Sequence, residues 1–524
     1  PFTFGPMSAN ERRIIHLTLA ENESLFTESV GEGNLRRLKV TLKNQSKNYP
    51  WEKQVARSCL VRAAFFFFEM EPIDTIVALS TPPGRSGIGV IRLSGPDALP
   101  LTRSLLHENV YDPEPNRSIL KALRDPENGE VLDRALLTYF KSPHSYTGED
   151  VVELSCHGSP PLLLRIIDAL LFAGARAADS GEFTLRALSN GRLNLTQAEA
   201  VRDLIDAHTH AAVRLGARQL GGELSTRLQP IKDSLVEIIV PLESSLEFVE
   251  DDLPEDITRH LAQKLSTLRR QLEDFAGTFR HGRLLKEGLR VTLIGRPNVG
   301  KSTIFNQLLK NDRAIVTDIP GTTRDTLSEV INIKDVPVMI SDTAGIRVSQ
   351  DKVEQMGVER TRRAIVDADL LVVVIDGSGP LAVEDQELMS EASENRHLIV
   401  VNKSDLGQPH LEDVKALGNG VPVISISAKT GSGFDSLREA ILEPFALFDS
   451  HETSFVITNA RHYDLMRRTA DALQASQTLL EERVSEELVL VGLYDALRLL
   501  GEITGETTAE DVLSEIFSTF CIGK

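Results

Sequence analysis

A glycine-rich loop between an apolar strand and an amphipathic helix constrains this chain more than any other feature. The stretch GRPNVGKS, residues 295–302, follows the apolar run VTLI and precedes STIFNQLLK. It matches the pattern G-x-x-x-x-G-K-[ST] in the strand–loop–helix context that the pattern requires. Gly295 and Gly300 allow the backbone to curl so that its N–H groups point at phosphates. The sequence therefore predicts a nucleotide phosphate-binding loop.

The side chains at the end of this loop are expected to complete the phosphate site. Lys301 is predicted to reach the β- and γ-phosphates as a catalytic residue, and the Ser302 hydroxyl is predicted to ligate Mg²⁺. The helix N-terminus adds a partial positive charge. Asn298, inside the loop, is either a plain spacer or a ligand of a monovalent cation through its side-chain oxygen.

Two later motifs indicate which base the nucleotide carries. NKSD, residues 402–405, follows the apolar run HLIVV, and SAK, residues 427–429, lies at the end of the next strand. Asp405 is expected to accept hydrogen bonds from the two N–H groups on the edge of guanine, which adenine cannot supply. The sequence therefore predicts a GTP site.

Two intervening motifs are expected to surround the γ-phosphate. In GTTRD, residues 321–325, Thr323 can complete the Mg²⁺ shell. In DTAG, residues 342–345, Asp342 can hold Mg²⁺ through water, and the Gly345 amide can contact the γ-phosphate. This motif lacks the following glutamine that usually orients the attacking water, so Glu354 is the candidate for that role, its alternative being a solvated helix acid. The predicted GTP-binding residues are Asn298, Val299, Gly300, Lys301, Ser302, Thr303, Thr317, Thr322, Thr323, Asp342, Thr343, Ala344, Gly345, Asn402, Lys403, Asp405, Ser427, Ala428 and Lys429.

The order of patterns along the chain predicts an α/β plus α fold. Short apolar runs alternate with helical stretches over residues 288–444, which is typical of a doubly wound parallel sheet and resembles a Ras-like GTPase domain of the translation-factor-related class. Residues 70–189 indicate a compact α+β domain. Residues 190–287 and 445–524 indicate one helical domain, split by the inserted α/β domain. The stretch TQAEAVRDLIDAHTHAAVRLGARQL, residues 196–220, is predicted to be helical, with its first Thr as N-cap and a Glu three residues on as in a capping box.

Composition limits the cell compartment and the partners. The 524 residues carry a formal net charge of −19, which argues against non-specific nucleic-acid binding by the whole surface. The three cysteines, Cys59, Cys156 and Cys521, lie far apart, which favours a reducing compartment, and we expect the cytoplasm. The pair Cys156–His157 indicates a metal only weakly against an ordinary strand end. No apolar run is long enough for a membrane span.

Residues 1–69 differ from the rest of the chain. They hold the only Trp and begin with Pro, whereas Met70 opens the well-patterned region. We expect them to be an upstream extension, such as a mis-set start, that takes no part in the fold. A transit peptide is disfavoured because the segment carries too many acidic residues.

From residue 70 to residue 524 the chain resembles the MnmE family, also called TrmE, of tRNA-modifying GTPases. The resemblance rests on the GTPase motifs together with four further stretches. FCIGK is the specific one, since other GTPases share the phosphate loop without it. The stretches are DTIVALSTPPGRSGIGVIRLSG (74–95), SYTGEDVVELSCHG (145–158), GEFTLRALSNGRLNLTQAEAV (181–201) and FCIGK (520–524).

The resemblance implies a function for each region. The N-terminal domain, residues 70–189, would bind a tetrahydrofolate derivative, 5,10-methylene- or 5-formyl-, and drive homodimerisation. With a flavoprotein partner, MnmG, in a heterotetramer, the family adds an aminomethyl or carboxymethylaminomethyl group to C5 of the wobble uridine of tRNA. GTP hydrolysis is activated by K⁺ where two GTPase domains meet. GRSGIG, residues 84–89, is not a dinucleotide fingerprint, so FAD is expected on the partner.

The resemblance also implies site residues. The family's K⁺ ligands correspond to the Asn298 side chain and to the loop backbone at three further positions. Its Mg²⁺ ligands correspond to two hydroxyl groups, and its water-orienting acid corresponds to Glu354. Its folate contacts correspond to four charged residues. Cys521 would lie near the one-carbon unit as nucleophile or acid, its alternative being a buried structural cysteine. The three sets are, for K⁺, Asn298, Thr317, Ile319 and Thr322; for Mg²⁺, Ser302 and Thr323; and for folate, Arg92, Glu153, Arg192 and Lys524.

Two other functions compete with this one. The first is a regulatory GTPase of ribosome assembly without modification chemistry of its own, which the folate-type domain and FCIGK disfavour. The second is a folate-dependent methyltransferase with a vestigial GTPase, which the intact Lys301, Asp342 and Asp405 disfavour.

Overall fold

The computed structural model describes most of the chain. The remainder includes several predicted site residues. The described residues are 2–6, 25–30, 37–42, 74–108, 111–247, 254–312, 328–342, 368–407, 410–418, 420–443, 455–507, 513 and 516–523.

A six-stranded sheet forms the centre of the nucleotide region, in the order β11-β12-β10-β13-β14-β15. Five strands are parallel, as predicted, but β11 is antiparallel to β12 at the sheet edge. The cause is the two-residue hairpin Lys334–Asp335, both at positive φ, because so short a connection joins only antiparallel strands. The strands are β10 Leu289–Ile294, β11 Ser328–Ile333, β12 Val336–Asp342, β13 Leu370–Asp376, β14 His397–Asn402 and β15 Val423–Ser425.

Helices cover both faces of this sheet. The inner strands β13 and β14 are almost wholly apolar, as burial of both faces requires, and separate clusters of buried side chains form on the two faces of the sheet. Each fully buried Leu, Ile or Val contributes about 1.5–3 kcal/mol. The helices of this region are α9 Lys301–Asp312, α10 Val383–Ala392, α11 Leu411–Leu417 and α12 Phe434–Leu442.

A second six-stranded sheet, in the order β6-β7-β8-β5-β4-β9, organises residues 74–189. Its pairs are antiparallel except for β4 with β9. Helices α1 and α2 bury one face of the sheet, as expected for an α+β unit. The elements are β4 Ile76–Leu79, β5 Ile88–Ser94, α1 Ala98–Leu106, β6 Ser118–Arg124, β7 Val131–Phe140, β8 Val151–His157, α2 Pro160–Phe172, β9 Arg176–Ala177 and α3 Glu182–Ser189.

Helices from before and after the nucleotide region share one apolar core. Buried residues of α6 and α7 pack with those of α13 and α14 in a single cluster. The helical part is therefore discontinuous in sequence and continuous in space. Its helices are α4 Leu195–Ile205, α5 His210–Leu220, α6 Glu223–Glu247, α7 Glu255–Gly277, α8 Phe279–Glu287, α13 Ala460–Glu481 and α14 Glu486–Thr504.

The predicted start of the first of these helices is wrong. Asn194, not Thr196, is the N-cap: its side chain accepts from the Gln197 N–H, and Gln197 completes the capping box. The stretch 196–220 is helical as predicted and forms two helices, since α4 ends at Ile205 and Thr209 caps α5. Glu199, expected in the capping box, is buried against another helix instead.

The described residues between 2 and 42 form three strands in a sheet of their own, in the order β1-β3-β2. The strands are antiparallel, and their bounds are Phe2–Pro6, Leu25–Val30 and Arg37–Leu42. That residues 1–69 stand outside the main fold stays a prediction. Across the described residues, no helix combines the length and the apolarity that crossing a membrane requires.

Candidate nucleotide site and C-terminal tail

The loop after β10 has the backbone shape that its glycines predict. Gly295 and Gly300 have φ of 153° and 103°. A Cβ on Gly295 would lie 2.4 Å from the Val374 oxygen, and one on Gly300 would lie 2.2 Å from Nδ2 of Asn402. Only glycine fits both positions. Asn298 also has a positive φ, of 62°, and its side chain is exposed.

Lys301 lies at the centre of the loop. It begins α9 and is buried, and its Nζ donates to the carbonyl oxygens of Gly295 at 2.6 Å and Arg296 at 2.8 Å. Ser302 and Thr303 follow it in the first turn and are exposed. The ammonium is thus held within the phosphate loop, where the first turn of the helix directs its N–H groups.

Asn402 joins the phosphate loop to the loop that carries SAK. Its Nδ2 donates to the Val299 oxygen at 2.8 Å, and its Oδ1 accepts from the Ala428 N–H at 3.0 Å. The side chain is 2% exposed, so both bonds form away from water. Val299 and Ala428, both predicted to bind GTP, are therefore connected through a third predicted residue.

The predicted base-recognition residues lie beside Asn402. Oδ1 of Asp405 accepts from the Ser427 hydroxyl at 2.7 Å. Lys403 has a left-handed φ of 64°, and its Nζ donates to Oδ2 of Asp376 at 2.6 Å. Burial alone would raise the pKa of Asp376, but the bonds from Lys403 and from Ser378 outweigh it and lower that pKa. Lys429 is exposed at the end of the same edge.

Asp376 is a candidate site residue that the sequence reasoning missed. It ends β13, whose carboxyl end lies beside that of β14 in the sheet. A carboxylate at the end of an apolar run was the available signal, because ligand sites of such sheets lie at the carboxyl ends of strands.

Several predicted residues lie outside the described part of the chain. The structure gives no account of the side chain of Asp342, the last residue of β12, of nine other predicted positions, or of Cys59. The nine positions are Thr317, Ile319, Thr322, Thr323, Thr343, Ala344, Gly345, Glu354 and Lys524.

Two of the predicted folate contacts bind each other across neighbouring strands. Arg92 on β5 faces Glu153 on β8, and its Nε and Nη2 donate to Oε1 of Glu153 at 2.9 and 2.8 Å. The guanidinium lies 5.5 Å from the ring of Tyr146 and 5.7 Å from that of Phe183. Burial raises the pKa of Tyr146, which therefore stays neutral. The two aromatic residues were not foreseen from the sequence.

Arg192, the third predicted folate contact, lies near the same loop as Tyr146. It is exposed, and its Cγ lies 3.2 Å from the position that a Cβ on Gly148 would take. The structure thus brings three of the four predicted residues to the region of one loop, residues 146–149.

The last residues of the chain pack against the N-terminal sheet. Ile522 forms an antiparallel bridge with Ser180, the Gly181 N–H donates to the Cys521 oxygen at 3.4 Å, and the Ser80 hydroxyl donates to the Gly523 oxygen at 3.0 Å. Gly523 has a φ of 92°, and a Cβ there would lie 2.3 Å from the Leu79 oxygen. We call residues 516–523 the tail.

The tail ends beside the strand that carries Arg92. Leu79, the last residue of β4, pairs with Ile91, the neighbour of Arg92. Upstream, Phe517 and Phe520 are buried, whereas Cys521 is exposed. The alternative of a buried structural cysteine at position 521 is therefore wrong.

The described residues contain no group of three or more His, Cys, Asp or Glu that could hold a metal ion. Cys156 is buried, and burial raises its pKa to about 12. Nδ1 of the neighbouring His157 donates to Oδ1 of Asp133, 2.7 Å away. Cys156 and His157 are the last two residues of β8.

Three family descriptions match the chain. "MnmE helical domain" matches residues 195–521, and "GTP-binding protein TrmE N-terminus" matches residues 75–192. The third description, of the R-3-H domain, matches residues 1–42. The first alone spans more than half of the chain.

Named relatives agree with the first two matches. The tRNA modification GTPase MnmE of Koribacter versatilis is 46% identical over 454 residues, which cover 86% of this chain and 99% of that protein. The protein of the same name from Aquifex aeolicus is 42% identical over 453 residues, or 86% of this chain and 100% of that protein. Among solved structures, the G domain of the T. maritima FeoB iron transporter is 25% identical, with a TM-score of 0.23, over 30% of this chain and 97% of that one.

Proposed function

The chain belongs to the MnmE family of tRNA modification GTPases, and on that premise we propose how its residues hydrolyse GTP in the modification of tRNA. It is a GTP hydrolase that acts in tRNA modification. The observation that best supports GTP binding at this site is the contact of the Asn402 side chain with two loops. It joins the phosphate loop to the loop that carries SAK, the proposed base-recognition loop. A nucleotide that spans both loops has its phosphates and its base fixed by one rigid arrangement.

We assign the phosphates to the N-terminal turn of α9. Phosphate oxygens would replace the carbonyls of Gly295 and Arg296 as partners of the Lys301 ammonium, which now lies between them. Phosphate oxygens carry more negative charge than carbonyls, so this exchange favours binding. Backbone N–H groups of the loop supply the remaining donors.

We assign the base to Asp405. Its carboxylate is exposed and is oriented by the Ser427 hydroxyl. A carboxylate accepts from the two N–H groups on the guanine edge at once, which selects GTP over ATP.

We further propose that Mg²⁺ and K⁺ assist hydrolysis. The exposed Ser302 hydroxyl fits Mg²⁺ together with Thr323, and the exposed Asn298 amide fits K⁺ together with the backbone of Thr317, Ile319 and Thr322. These ions would supply positive charge next to the phosphates, which an arginine finger supplies in other GTPases. Glu354 would orient the attacking water.

The test is the rate of GTP hydrolysis in KCl and in NaCl at equal ionic strength. We expect K⁺ to stimulate the parent chain and Asn298→Ala to lose that preference while GTP affinity stays unchanged. In the same assay, Glu354→Ala should slow hydrolysis by about 10²-fold or more, with a much smaller change in GTP affinity. Equal rates of the parent chain in the two salts would contradict the K⁺ site.

We propose that the region of Arg92 and Glu153 binds a tetrahydrofolate derivative. The carboxylate of Glu153 suits the N–H donors of a pterin, and Arg92, Arg192 and Lys524 suit the carboxylates of a glutamyl tail. The half-buried ring of Tyr146 offers an apolar wall for a flat heterocycle, and it packs against the cluster that contains the fully buried Phe183. The exposed Cys521 thiol would then act on the one-carbon unit as nucleophile or acid.

We propose three partners for the whole reaction. Two copies of the chain would form a homodimer, and a MnmG-like flavoprotein would join them and bring FAD. The tRNA would receive a carboxymethylaminomethyl or aminomethyl group on C5 of its wobble uridine. We expect all of these components in the cytoplasm. Co-purification of the full chain with the flavoprotein, followed by mass measurement, tests the assembly.

A further inference from the structure

The connections that lead into and out of the nucleotide region lie against each other. Helix α8 leads into β10, and residues 455–459 lead into α13. The Ile457 N–H donates to the Thr278 hydroxyl at 2.9 Å, and a Cβ on Gly282 would lie only 2.2 Å from the Ile457 oxygen. The two connections therefore form one joint.

One face of α4 binds both sides of this joint. Glu199 accepts from Nε and Nη2 of Arg461, both at 3.0 Å, and its Oε2 lies 2.7 Å from Nε2 of His462. Four residues further on, Asp203 forms a 2.8 Å salt bridge with Lys286 of α8. Residues four apart share a face of a helix, so α4 holds the incoming and the outgoing connection at once.

A neighbouring face of α4 holds the tail. Ala198 packs with Phe517 and Phe520 in one buried cluster that Val201 also contacts. Nη1 of Arg202 donates to the Thr519 hydroxyl. Residues 521–523, which follow directly, are fixed to Ser80 and Ser180 of the N-terminal sheet.

The helix that precedes the tail is tied to the same charged cluster. Arg461 donates to the carbonyl oxygens of Glu502 at 2.8 Å and Ile503 at 3.3 Å, in the last turn of α14. A Cβ on Gly505, just past that turn, would lie 2.7 Å from Cβ of Leu195 at the start of α4. The end of α14 therefore contacts α4 and its partner Arg461, and the tail itself contacts α4.

We propose that α4 is a coupling helix: a movement of the nucleotide region at the joint shifts α4 and, with it, the tail that carries Cys521. Glu199 and Asp203 are its positioning residues. The proposal deepens the proposed function, because it rests on the tail as part of the folate site. Buried ion pairs strongly resist separation, and packed helices move as rigid bodies between discrete arrangements.

The reactivity of the Cys521 thiol reports the position of the tail. In a Cys59→Ser background, the full chain is saturated with GDP or with GMPPNP, and its modification by iodoacetamide is timed by mass spectrometry of the C-terminal peptide. Cys156 is buried. Competition with a fluorescent GDP analogue measures how fully the bound GDP or GMPPNP occupies the site in the same samples. No folate is present, so failure of the coupling is distinct from failure of the folate proposal, which calorimetry decides.

Three variants and one control separate the coupling from general stability. Glu199→Gln breaks the outgoing contact, and Asp203→Asn breaks the incoming one. Lys286→Met removes the same bridge from the other helix and leaves α4 itself unchanged. The matched control is Glu223→Gln, because Glu223 also binds two guanidinium groups, those of Arg218 and Arg227, but it joins α5 to α6.

We expect the rates of the parent chain with the two nucleotides to differ about fivefold or more, the usual size of coupling between sites. The ratio should move towards one in the three variants and should be kept in Glu223→Gln. Equal rates in the nucleotide-saturated parent would overturn the proposal, as would an unchanged ratio in Asp203→Asn and Lys286→Met. If Glu199→Gln fails to fold, the other two variants decide.

Discussion

At the scale of single residues, one buried amide determines how the phosphate loop and the base-recognition loop sit together. Asn402 satisfies the Val299 carbonyl and the Ala428 N–H, and the absence of a side chain at Gly300 makes room for it. A buried backbone group that loses its partner costs about 1–3 kcal/mol. The two hydrogen bonds of Asn402 therefore fix the distance between the two loops, because a shift of either loop would break one of them.

Asp405→Asn should change which base the site accepts. An amide presents one acceptor and one donor to the guanine edge instead of two acceptors, so a donor faces a donor. We expect GTP affinity to fall by about 10²-fold or more and affinity for xanthosine triphosphate to rise. Displacement of a fluorescent nucleotide by each triphosphate measures both.

The control for that change is Asp413→Asn. Asp413 is exposed on α11 and lies 3.1 Å from Nδ1 of His410, so its loss should leave both affinities unchanged. If Asp405→Asn bound GTP as tightly as the parent, the assignment of the base to this carboxylate would be wrong.

The candidate nucleotide residues could be proposed from the sequence one by one, because each belongs to a local motif with fixed spacing. Their contacts were not. Lys403 binds Asp376, and Arg92 binds Glu153, across 27 and 61 residues of sequence. Such pairs depend on strand order in the sheet, which local patterns do not specify.

Acid should weaken the contact of Glu199 with α13. Burial alone would raise the pKa of Glu199, but His462 and Arg461 outweigh it and lower the pKa to about 2, from an ordinary value of 4.5. A lowered carboxyl pKa stabilises the folded chain above pH 4.5, and this contribution is lost as the pH falls towards 2. The nearby Asp203 has its pKa raised, chiefly by burial, and acts in the opposite sense.

Hydrogen exchange of peptides from α4 and α13, corrected for intrinsic rates, measures this contribution. At pH 7 the parent should be more protected than Glu199→Gln by on the order of 3 kcal/mol. The difference should shrink between pH 5 and pH 3. A difference that is constant over this range would contradict the lowered pKa.

At the scale of elements, α4 shows how tertiary contacts override a local signal. Thr196 followed by Glu199 reads as a capping box, yet the helix begins one residue before Thr196 and its cap is Asn194. The local pattern fits either residue as a cap, because Asn and Thr both accept from the first turn. The choice is made by the burial of Glu199 against Arg461 and His462, which come from a distant part of the chain.

Removal of residues 521–524 should weaken folate binding. The backbone of the tail bonds to Gly181 and Ser80 beside β5, so its loss removes one wall of the proposed site. We expect about a tenfold or greater loss of affinity for 5-formyltetrahydrofolate, because a site with one side open to water holds its ligand less tightly. Isothermal titration calorimetry measures the change.

Two further variants separate the tail's position from its thiol. Cys521→Ser keeps every backbone contact and should bind folate as the parent does. Gly523→Ala keeps the chain length but places a Cβ 2.3 Å from the Leu79 oxygen, so it should behave like the deletion. Full folate affinity in both the deletion and Gly523→Ala would refute the packed-tail account.

At the scale of the whole molecule, three sheets and one split helical core account for the described residues. The period of the apolar residues was enough to predict the α/β region, the α+β region and the division of the helices. It did not predict the antiparallel edge strand or the sheet in residues 2–42. Residues 1–42 match a domain description of their own. The alignments with the Koribacter and Aquifex proteins use 86% of this chain and cover 99% and 100% of those proteins.

GTP hydrolysis by this chain serves tRNA modification. The most direct measurement replaces the gene, in the organism that encodes it, by a Lys301→Ala allele and quantifies modified wobble uridine in total tRNA by nucleoside mass spectrometry. Lys310→Ala, an exposed lysine on the same helix α9, is the matched control. We predict that the 5-carboxymethylaminomethyl or 5-aminomethyl nucleoside is lost with Lys301→Ala and kept with Lys310→Ala. Unchanged modification with Lys301→Ala, at equal protein level, would contradict the account.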